Sequence, residues 1–349
     1  MVLDIFLGIL QIVLFPGIIF CIGLTFLLEW IDRKYYADLQ NRMGPLYVGW
    51  RGILQPFADF IKLMAKEDIT PKTADRKLFT ATPLFSVVVP LLALLFIPIA
   101  NVAGVLSFQG DLIFVLFLTT VVAILIILAG YSSMNRYSSI GAARAGLQLM
   151  GYEIPLTLAA LTPAMIARSF TITDIVQYQA VAGMSILIFP SMIAFGVFII
   201  TLLPELEKIP MDIPEAETEL VAGWQTEFSG KKYAFFRLSN NLELLLGAGL
   251  AVALFLGGPY GIEKLPGLTA LDLAIQGNII LSAVWYTIWF LIKTAIVVLI
   301  ITNLRALFSR YRIDQMIRGA WKYLTPIMIA ITAITMLLSA AAPGLYPIV

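Results

Sequence analysis

Eight long apolar segments restrict this chain of 349 residues to folds that a lipid bilayer can hold. They are predicted at 5–28, 83–104, 112–131, 149–167, 185–203, 242–260, 279–302 and 324–346. A bilayer core needs about 20 apolar residues in a helix, and lipid cannot satisfy the backbone groups of an open chain. Composition agrees, because 60% of the residues are hydrophobic and only 13% are charged. We therefore expect a single all-α, polytopic membrane domain over 1–349 with about eight transmembrane helices.

The basic residues are unevenly shared between the loops. Twenty of the 23 Lys and Arg residues fall in four predicted loops, and each remaining loop carries one or none. The positive-inside rule places the basic loops in the cytoplasm and both termini outside. The sequence thus predicts a multi-pass protein of the cell (plasma) membrane with cytoplasmic loops at 29–82, 132–148, 204–241 and 303–323. The first loop contains an amphipathic stretch, 53–66, which predicts a helix lying on the membrane surface.

Residue usage excludes several kinds of chemistry. The chain has no histidine and one cysteine, Cys21, so it cannot by itself form a Cys/His metal site, ligate an iron–sulfur cluster through cysteines or build a Ser-His-Asp triad. The net charge of +1 gives no electrostatic case for nucleic acid. We assign no catalytic residue, metal or cofactor to this chain, and any redox centre must belong to a partner.

The acidic residues are concentrated in one stretch. Seven of the chain's 22 acids lie in 205–227. Asp212 and Glu215 have the spacing of a helix N-cap and its third helical position. Glu215 and Glu219, with Glu217 between them, would share a helix face on which like charges repel and raise each other's pKa. Apolar flanks favour partial burial, and the alternative is a solvated loop.

Two further charges lie inside predicted spans. Glu153 falls in the fourth span and Lys293 near the centre of the seventh. Charges at membrane depth are costly and usually mark ion paths, although Glu153 could instead snorkel from a helix end. Arg144 lies four residues before Gln148, so the two would share a helix face.

Five segments of the basic loops resemble one protein family. They read IDRKYYADLQNRMGP, QPFADFIKLMAKEDITP, RAGLQLMGYEIP, PMDIPEAETELVAGWQTEFSGKKYAFF and SRYRIDQMIRGAWKYLTP. The chain resembles the subunit 1 family of membrane proteins of respiratory complex I, together with its homologues in membrane-bound hydrogenases and related ferredoxin-linked complexes. The segments fall in order across all four loops, so the resemblance covers nearly the whole chain.

The resemblance implies a non-catalytic subunit at the junction between a peripheral redox arm and an ion-translocating membrane arm. The implied partners are hydrogenase-like or complex I-like peripheral redox subunits, iron–sulfur subunits and antiporter-like membrane subunits. The partners would hold the iron–sulfur clusters, with a nickel–iron centre in the hydrogenase version. The predicted coupling residues are Glu153, Asp212, Glu215, Glu217, Glu219, Glu227, Lys293 and Arg144. The predicted contacts with the peripheral arm are Asp32, Arg33, Arg42, Asp59 and Lys62.

Departures from the complex I pattern narrow this expectation. They concern Asp32 in place of Glu, Leu46-Tyr47 in place of Asn-Arg, Gln225 in place of His, and Asn240 in place of Glu, with Glu243 one turn further on. These changes surround the quinone-facing region, so they favour a hydrogenase-type or sulfur-reductase-type relative that couples ferredoxin oxidation to H⁺ or Na⁺ translocation. The alternatives are a quinone-chamber subunit of an NADH–quinone oxidoreductase, a free-standing secondary transporter and a purely structural scaffold. The proteins that co-purify with the chain would separate them.

Overall fold

The computed structural model describes residues 8, 10–261 and 277–341, and these residues form helices joined by loops. No β-strand occurs among them, which confirms the all-α prediction. The first residues of the first predicted span, 342–346 of the last and most of the loop after the sixth lie outside the described residues.

The helices follow the apolar segments, with shifted ends. Their bounds are Ile18–Leu39 (α1), Gln55–Met64 (α2), Arg76–Leu94 (α3), Asp111–Ser132 (α4), Arg136–Ala167 (α5), Ile172–Ala182 (α6), Ser191–Glu205 (α7), Glu217–Leu220 (α8), Gly230–Phe255 (α9), Ile279–Leu307 (α10), Ile313–Gly319 (α11) and Thr325–Ala341 (α12). A short π-helix, Ala320–Leu324, joins the last two.

Seven stretches among the described helices are long and apolar enough to cross a membrane. They contain α1, α3, α4, α5, α9, α10 and the α11–α12 segment. The fifth predicted span corresponds to α7, which is apolar but has only 15 residues. The helix predicted over 53–66 is found as the short helix α2, whose Phe57 packs edge-on against Phe26 of α1. Its place on the membrane surface stays a prediction. Which loops are cytoplasmic stays a prediction.

Helix α9 forms the centre of the bundle. Its most apolar stretch is 89% buried, against 22–56% in the other spanning helices. It contacts α1, α3, α7 and α10, and its buried side chains belong to the main hydrophobic core. A helix that is apolar on all sides is buried on all sides. Residues on α9 therefore sit where the other helices converge.

Two predicted cytoplasmic loops are partly helical. α5 already begins at Arg136, where Asn135 caps it by accepting a hydrogen bond from the backbone N–H of Tyr137 (3.0 Å). α9 begins at Gly230, well before the predicted span. Helices thus extend beyond the apolar segments, because charged residues close to a helix end can stay in helical conformation outside the hydrocarbon.

The acidic stretch is mostly irregular, and two predictions about it are wrong. Residues 206–216 form turns, so Asp212 is not a helix N-cap. The only helix in 212–227 besides a short 3₁₀ turn is α8, which excludes Glu215, so Glu215 and Glu219 do not share a helix face. The segment folds onto α5 at Gly141 and Gly223, where any Cβ would collide with backbone atoms of the segment itself. Close backbone approach, which propensity does not report, overrides the local helix signal.

Candidate functional site

A large charged cleft opens at the end of the bundle where α1, α9 and α10 meet the acidic stretch. Its volume is about 880 Å³. Its wall carries acids and bases in close alternation, namely Glu29, Asp32, Arg33, Arg42, Glu207, Lys208, Asp212, Glu215, Arg237, Arg305 and Arg310. The chain spends few residues on charge, so this cleft gathers a large part of them.

Asp32 joins three parts of the chain within the cleft. Its carboxylate, which is 5% exposed, accepts hydrogen bonds from Lys208 (2.9 Å) and from the hydroxyl of Thr302 (2.6 Å). Arg305 lies 3.3 Å from the same carboxylate. Buried charges are tolerated when they are paired and hydrogen-bonded. Asp32 thus holds α1, the acidic stretch and α10 together.

A second network begins one turn earlier on α1. Glu29 forms ion pairs with Arg33 and with Arg237 (3.6 Å), and it accepts a hydrogen bond from Asn241 (2.6 Å). Arg33 also pairs with Asp59 of α2 at 2.7 Å. Although partial burial acts to raise the pKa of Asp59, hydrogen bonds from Arg33 and Gln55 hold it below its usual range. This network fixes α2 to α1 and α9.

Glu207 has carboxylates rather than cations as neighbours. Burial raises its pKa well above the usual range, and repulsion from Glu215 raises it further. A hydrogen bond from the indole N–H of Trp224 (3.0 Å) opposes this only in part. Glu207 and Glu215 also share a hydrogen bond, which requires one of the two carboxyl groups to carry a proton. Gln225 donates a hydrogen bond to Glu215.

Behind Glu207 lies a small internal cavity where α4, α5, α7 and α9 meet. Its volume is about 20 Å³, and its wall includes Glu205, Glu207 and Glu243 together with Thr119, Gln148 and Tyr152. A space of this size with polar walls can hold about one water molecule. Glu207 lines both this cavity and the cleft. One side chain therefore connects the cleft to the interior of the bundle.

Two acids in the interior, Glu243 in the cavity wall and Glu153 nearby, each have a hydroxyl group as a neighbour. Glu243 of α9 lies 3.0 Å from the hydroxyl of Ser239. Glu153 of α5 accepts a hydrogen bond from Thr120 (2.6 Å), and its carboxylate is close enough to Glu205 for the two charges to repel each other. The water-sized cavity lies between Glu205, Glu207 and Glu243, so protons could move between these three acids by short hydrogen-bonded steps.

The structure brings only part of the predicted coupling residues together. Glu215 and Asp212 line the cleft, where Arg310 pairs with Asp212 at 2.7 Å. Burial raises the pKa of Asp212, and Arg310 offsets part of that rise. Glu219 instead forms an ion pair with Arg144 at 2.5 Å on the exposed surface.

The other predicted residues lie apart from the cavity. Glu227 accepts a hydrogen bond from Asn135 at 2.5 Å. The side chain of Glu217 lies outside the described part of the chain. Lys293 donates hydrogen bonds to the carbonyls of Leu256 (2.6 Å) and Gly258 (3.1 Å), just past the end of α9. A cation at a helix C-terminus is stabilised by the helix dipole, so part of the role of Lys293 is structural.

Among the predicted contacts with the peripheral arm, Asp32, Arg33 and Arg42 line the cleft. Asp59 does not line the cleft itself but forms an ion pair with Arg33, which does. Lys62 is exposed on α2. The position of the first three around one cleft is information that the loop motif alone could not give.

Residues that sequence reasoning left out of the candidate site are Glu29, Glu205, Glu207, Glu243, Arg237 and Arg305. Glu243 had a usable signal, because it lies inside the predicted span 242–260, where acids are costly. Glu205 and Glu207 belong to the acid-rich stretch already noted. Nothing in the sequence pairs Arg305 with Asp32.

A family model described as NADH dehydrogenase matches residues 10–336. The match covers all four basic loops and every residue of the cleft and cavity.

Proposed function

The chain belongs to the NADH dehydrogenase family, the family of complex I subunit 1, and is thus a membrane subunit of a complex I-like oxidoreductase. From this premise we propose that it passes protons between the charged cleft and the interior of the bundle through Glu207. The observation that carries the proposal is the position of Glu207, which lines both spaces. Its raised pKa supports the same role, because a group that transfers protons must hold one part of the time.

The proposed mechanism is electrostatic. A redox event in a partner subunit, or the movement that follows it, changes the charge next to the cleft. The proton shared by Glu207 and Glu215 then shifts, and Glu207 can release it toward Glu205 and Glu243. Because these acids are close in a poorly solvated place, the charge of one alters the proton affinity of the next. Glu153 would continue the path toward neighbouring membrane subunits.

The experiment measures coupling in the intact complex reconstituted in vesicles. Glu207→Gln keeps the size of the side chain and can accept the hydrogen bond from Trp224, but it cannot release a proton. We expect electron transfer to continue while ions moved per electron fall about tenfold or more. The matched control is Glu219→Gln, which removes an exposed acid of the same stretch. Full ion movement in assembled Glu207→Gln complex would contradict the proposal.

The nature of the electron acceptor is a second part of the proposal. We infer a hydrogenase-type or sulfur-reductase-type complex, because Asp32, Gln225 and Asn240 replace complex I residues and line a cleft with many charges. Pockets for apolar ligands are mostly apolar, so a cleft with this many charges is a poor match for a quinone. The alternative is the quinone-chamber subunit of an NADH–quinone oxidoreductase.

Purification of the native complex through a tag on this chain separates these versions. Nickel or another metal in a large partner subunit, with iron–sulfur proteins and no extractable quinone, would agree with the hydrogenase-type or sulfur-reductase-type reading. NADH-oxidising subunits with bound quinone would establish the alternative. A monodisperse chain that purifies without partners would contradict both versions and would favour a secondary transporter.

A further inference from the structure

A second groove, which is mostly apolar, borders the charged cleft, since its lining residues Met211 and Tyr311 are next in sequence to Asp212 and Arg310 of the cleft. Its volume is about 340 Å³, which is within the usual range of about 300–1,000 Å³ for ligand pockets. It runs between α5, α7 and the α11–α12 segment. Thr201 and Met316 form its buried floor, while Ile200 and Tyr323 are exposed at its rim. The groove thus opens on a face where apolar side chains are exposed.

The sequence around the groove carries the marks of a membrane interface. Trp321 and Tyr323 are exposed next to it, and aromatic residues of this kind gather at headgroup level. Residues 308–324 contain four cations, Arg310, Arg312, Arg318 and Lys322, but only one acid, Asp314. Such basic clusters beside spanning helices attract anionic lipid headgroups.

Of these cations, Arg318 and Lys322 lie closest in sequence to the π-helix Ala320–Leu324 or within it. Arg310 pairs with Asp212 in the cleft. Arg318 and Lys322 are exposed, and neither forms an ion pair within the described residues. Arg318 lies three residues after Gln315 and Lys322 three residues after Gly319, so each is a neighbour on the helix surface of a residue that lines the groove. Positive charge therefore lies beside the apolar groove.

The backbone at this place is also unusual. Ala320–Leu324 is a π-helix, a widened turn that is frequent at functional sites. Gly151 of α5 lets Met316 approach closely and anchors the preceding helix α11. A Cβ added at Gly319 would meet no atom within 4 Å, so the groove is open there.

We propose that this groove binds one acyl chain of an anionic phospholipid, whose phosphate is held by Arg318 and Lys322. An acyl chain matches the apolar lining, and a phosphate complements the two cations. Tyr152 and Pro204 line both this groove and the carboxylate cavity, so they alone are shared by the two spaces. The bound lipid would keep other molecules out of the groove beside these acids. The proposal does not depend on proton transfer through Glu207.

The test uses the intact complex, purified through a tag on this chain and placed in nanodiscs of equal parts phosphatidylglycerol and phosphatidylcholine. After detergent washing, mass spectrometry counts the lipids that remain. We expect about one tightly held phosphatidylglycerol per chain in the unaltered complex. Arg318→Gln with Lys322→Gln should lower the retained phosphatidylglycerol about fivefold or more. Gly319→Leu should displace the lipid by filling the groove.

Matched controls keep the result interpretable. Lys66→Gln with Lys72→Gln removes two exposed cations elsewhere, and Gly23→Leu alters an exposed glycine of α1 that also has no atom within 4 Å of an added Cβ. Both should retain the lipid. Equal retention in all variants would overturn the proposal. A photoreactive residue in place of Tyr323 gives an independent answer: capture of lipid supports the proposal, and capture of a partner polypeptide overturns it.

Discussion

Asp32 and Glu207 are two acids that line the same cleft and have opposite surroundings. Asp32 is contacted by Lys208, Arg305 and the hydroxyl of Thr302. Glu207 is contacted by Glu215 and Trp224, and it faces Glu243 across the small cavity. Cations fix the charge on the first acid, whereas neighbouring carboxyl groups make the second share a proton. Burial alone therefore does not reveal whether an acid is a structural anchor or a proton carrier; its partners do.

The largest effect on stability is expected when the charge of Asp32 is removed. Asp32→Asn leaves Lys208 and Arg305 without their shared partner, and loss of one member of a buried ion pair costs on the order of 3 kcal/mol. We expect the complex to unfold at markedly lower temperature or to assemble poorly. Asp38→Asn, an exposed acid of the same helix, should change the unfolding temperature little. Similar unfolding of the two variants would show that Asp32 is not an anchor.

Substitution of Glu207 should stabilise the protein instead of destabilising it, and the size of this effect should depend on pH. The folded protein holds Glu207 with a raised pKa, so the stability it contributes is complete below the ordinary Glu value of about 4.3 and is lost as pH rises through the folded value. Glu207→Gln resembles the protonated form. We therefore expect equal stability of variant and wild type near pH 4 and a more stable variant at alkaline pH.

Thermal unfolding of both proteins from pH 4 to 9 measures this difference. Only the difference between variant and wild type is interpreted, because many other groups titrate in both. A difference that stays constant across the pH range would show that Glu207 has an ordinary pKa in the folded protein.

The smallest effect is expected at the exposed end of the same stretch. Glu219 is 55% exposed in its pair with Arg144, and such surface ion pairs contribute about 0.2–1 kcal/mol. Glu219→Gln should leave both the unfolding temperature and the ions moved per electron nearly unchanged. If this variant lost ion movement while Glu207→Gln kept it, the proton path would run through Glu219, which the sequence predicted as a coupling residue.

Much of this protein could be predicted from its sequence because the signals are local. The apolar segments predicted an all-helical membrane protein, and the loop motifs predicted the family that the whole-chain match confirms. The concentration of acids in 205–227 predicted where the candidate site would lie. Glu243 within an apolar span carried the same kind of information. Each of these signals depends on a few neighbouring residues and the solvent around them.

The pairing of the charges was decided only by the tertiary structure. The helix spacing predicted that Glu215 would stand beside Glu219, but the helix begins only at Glu217, and Glu215 meets Glu207 instead. The cations that hold Asp32 are 176 and 273 residues away in the chain. Helical periodicity reports which face of one helix avoids water, but it does not report which residue of another helix will face it. For a buried acid, that distant neighbour sets the free energy of its charge, and with it the difference between an anchor and a proton carrier.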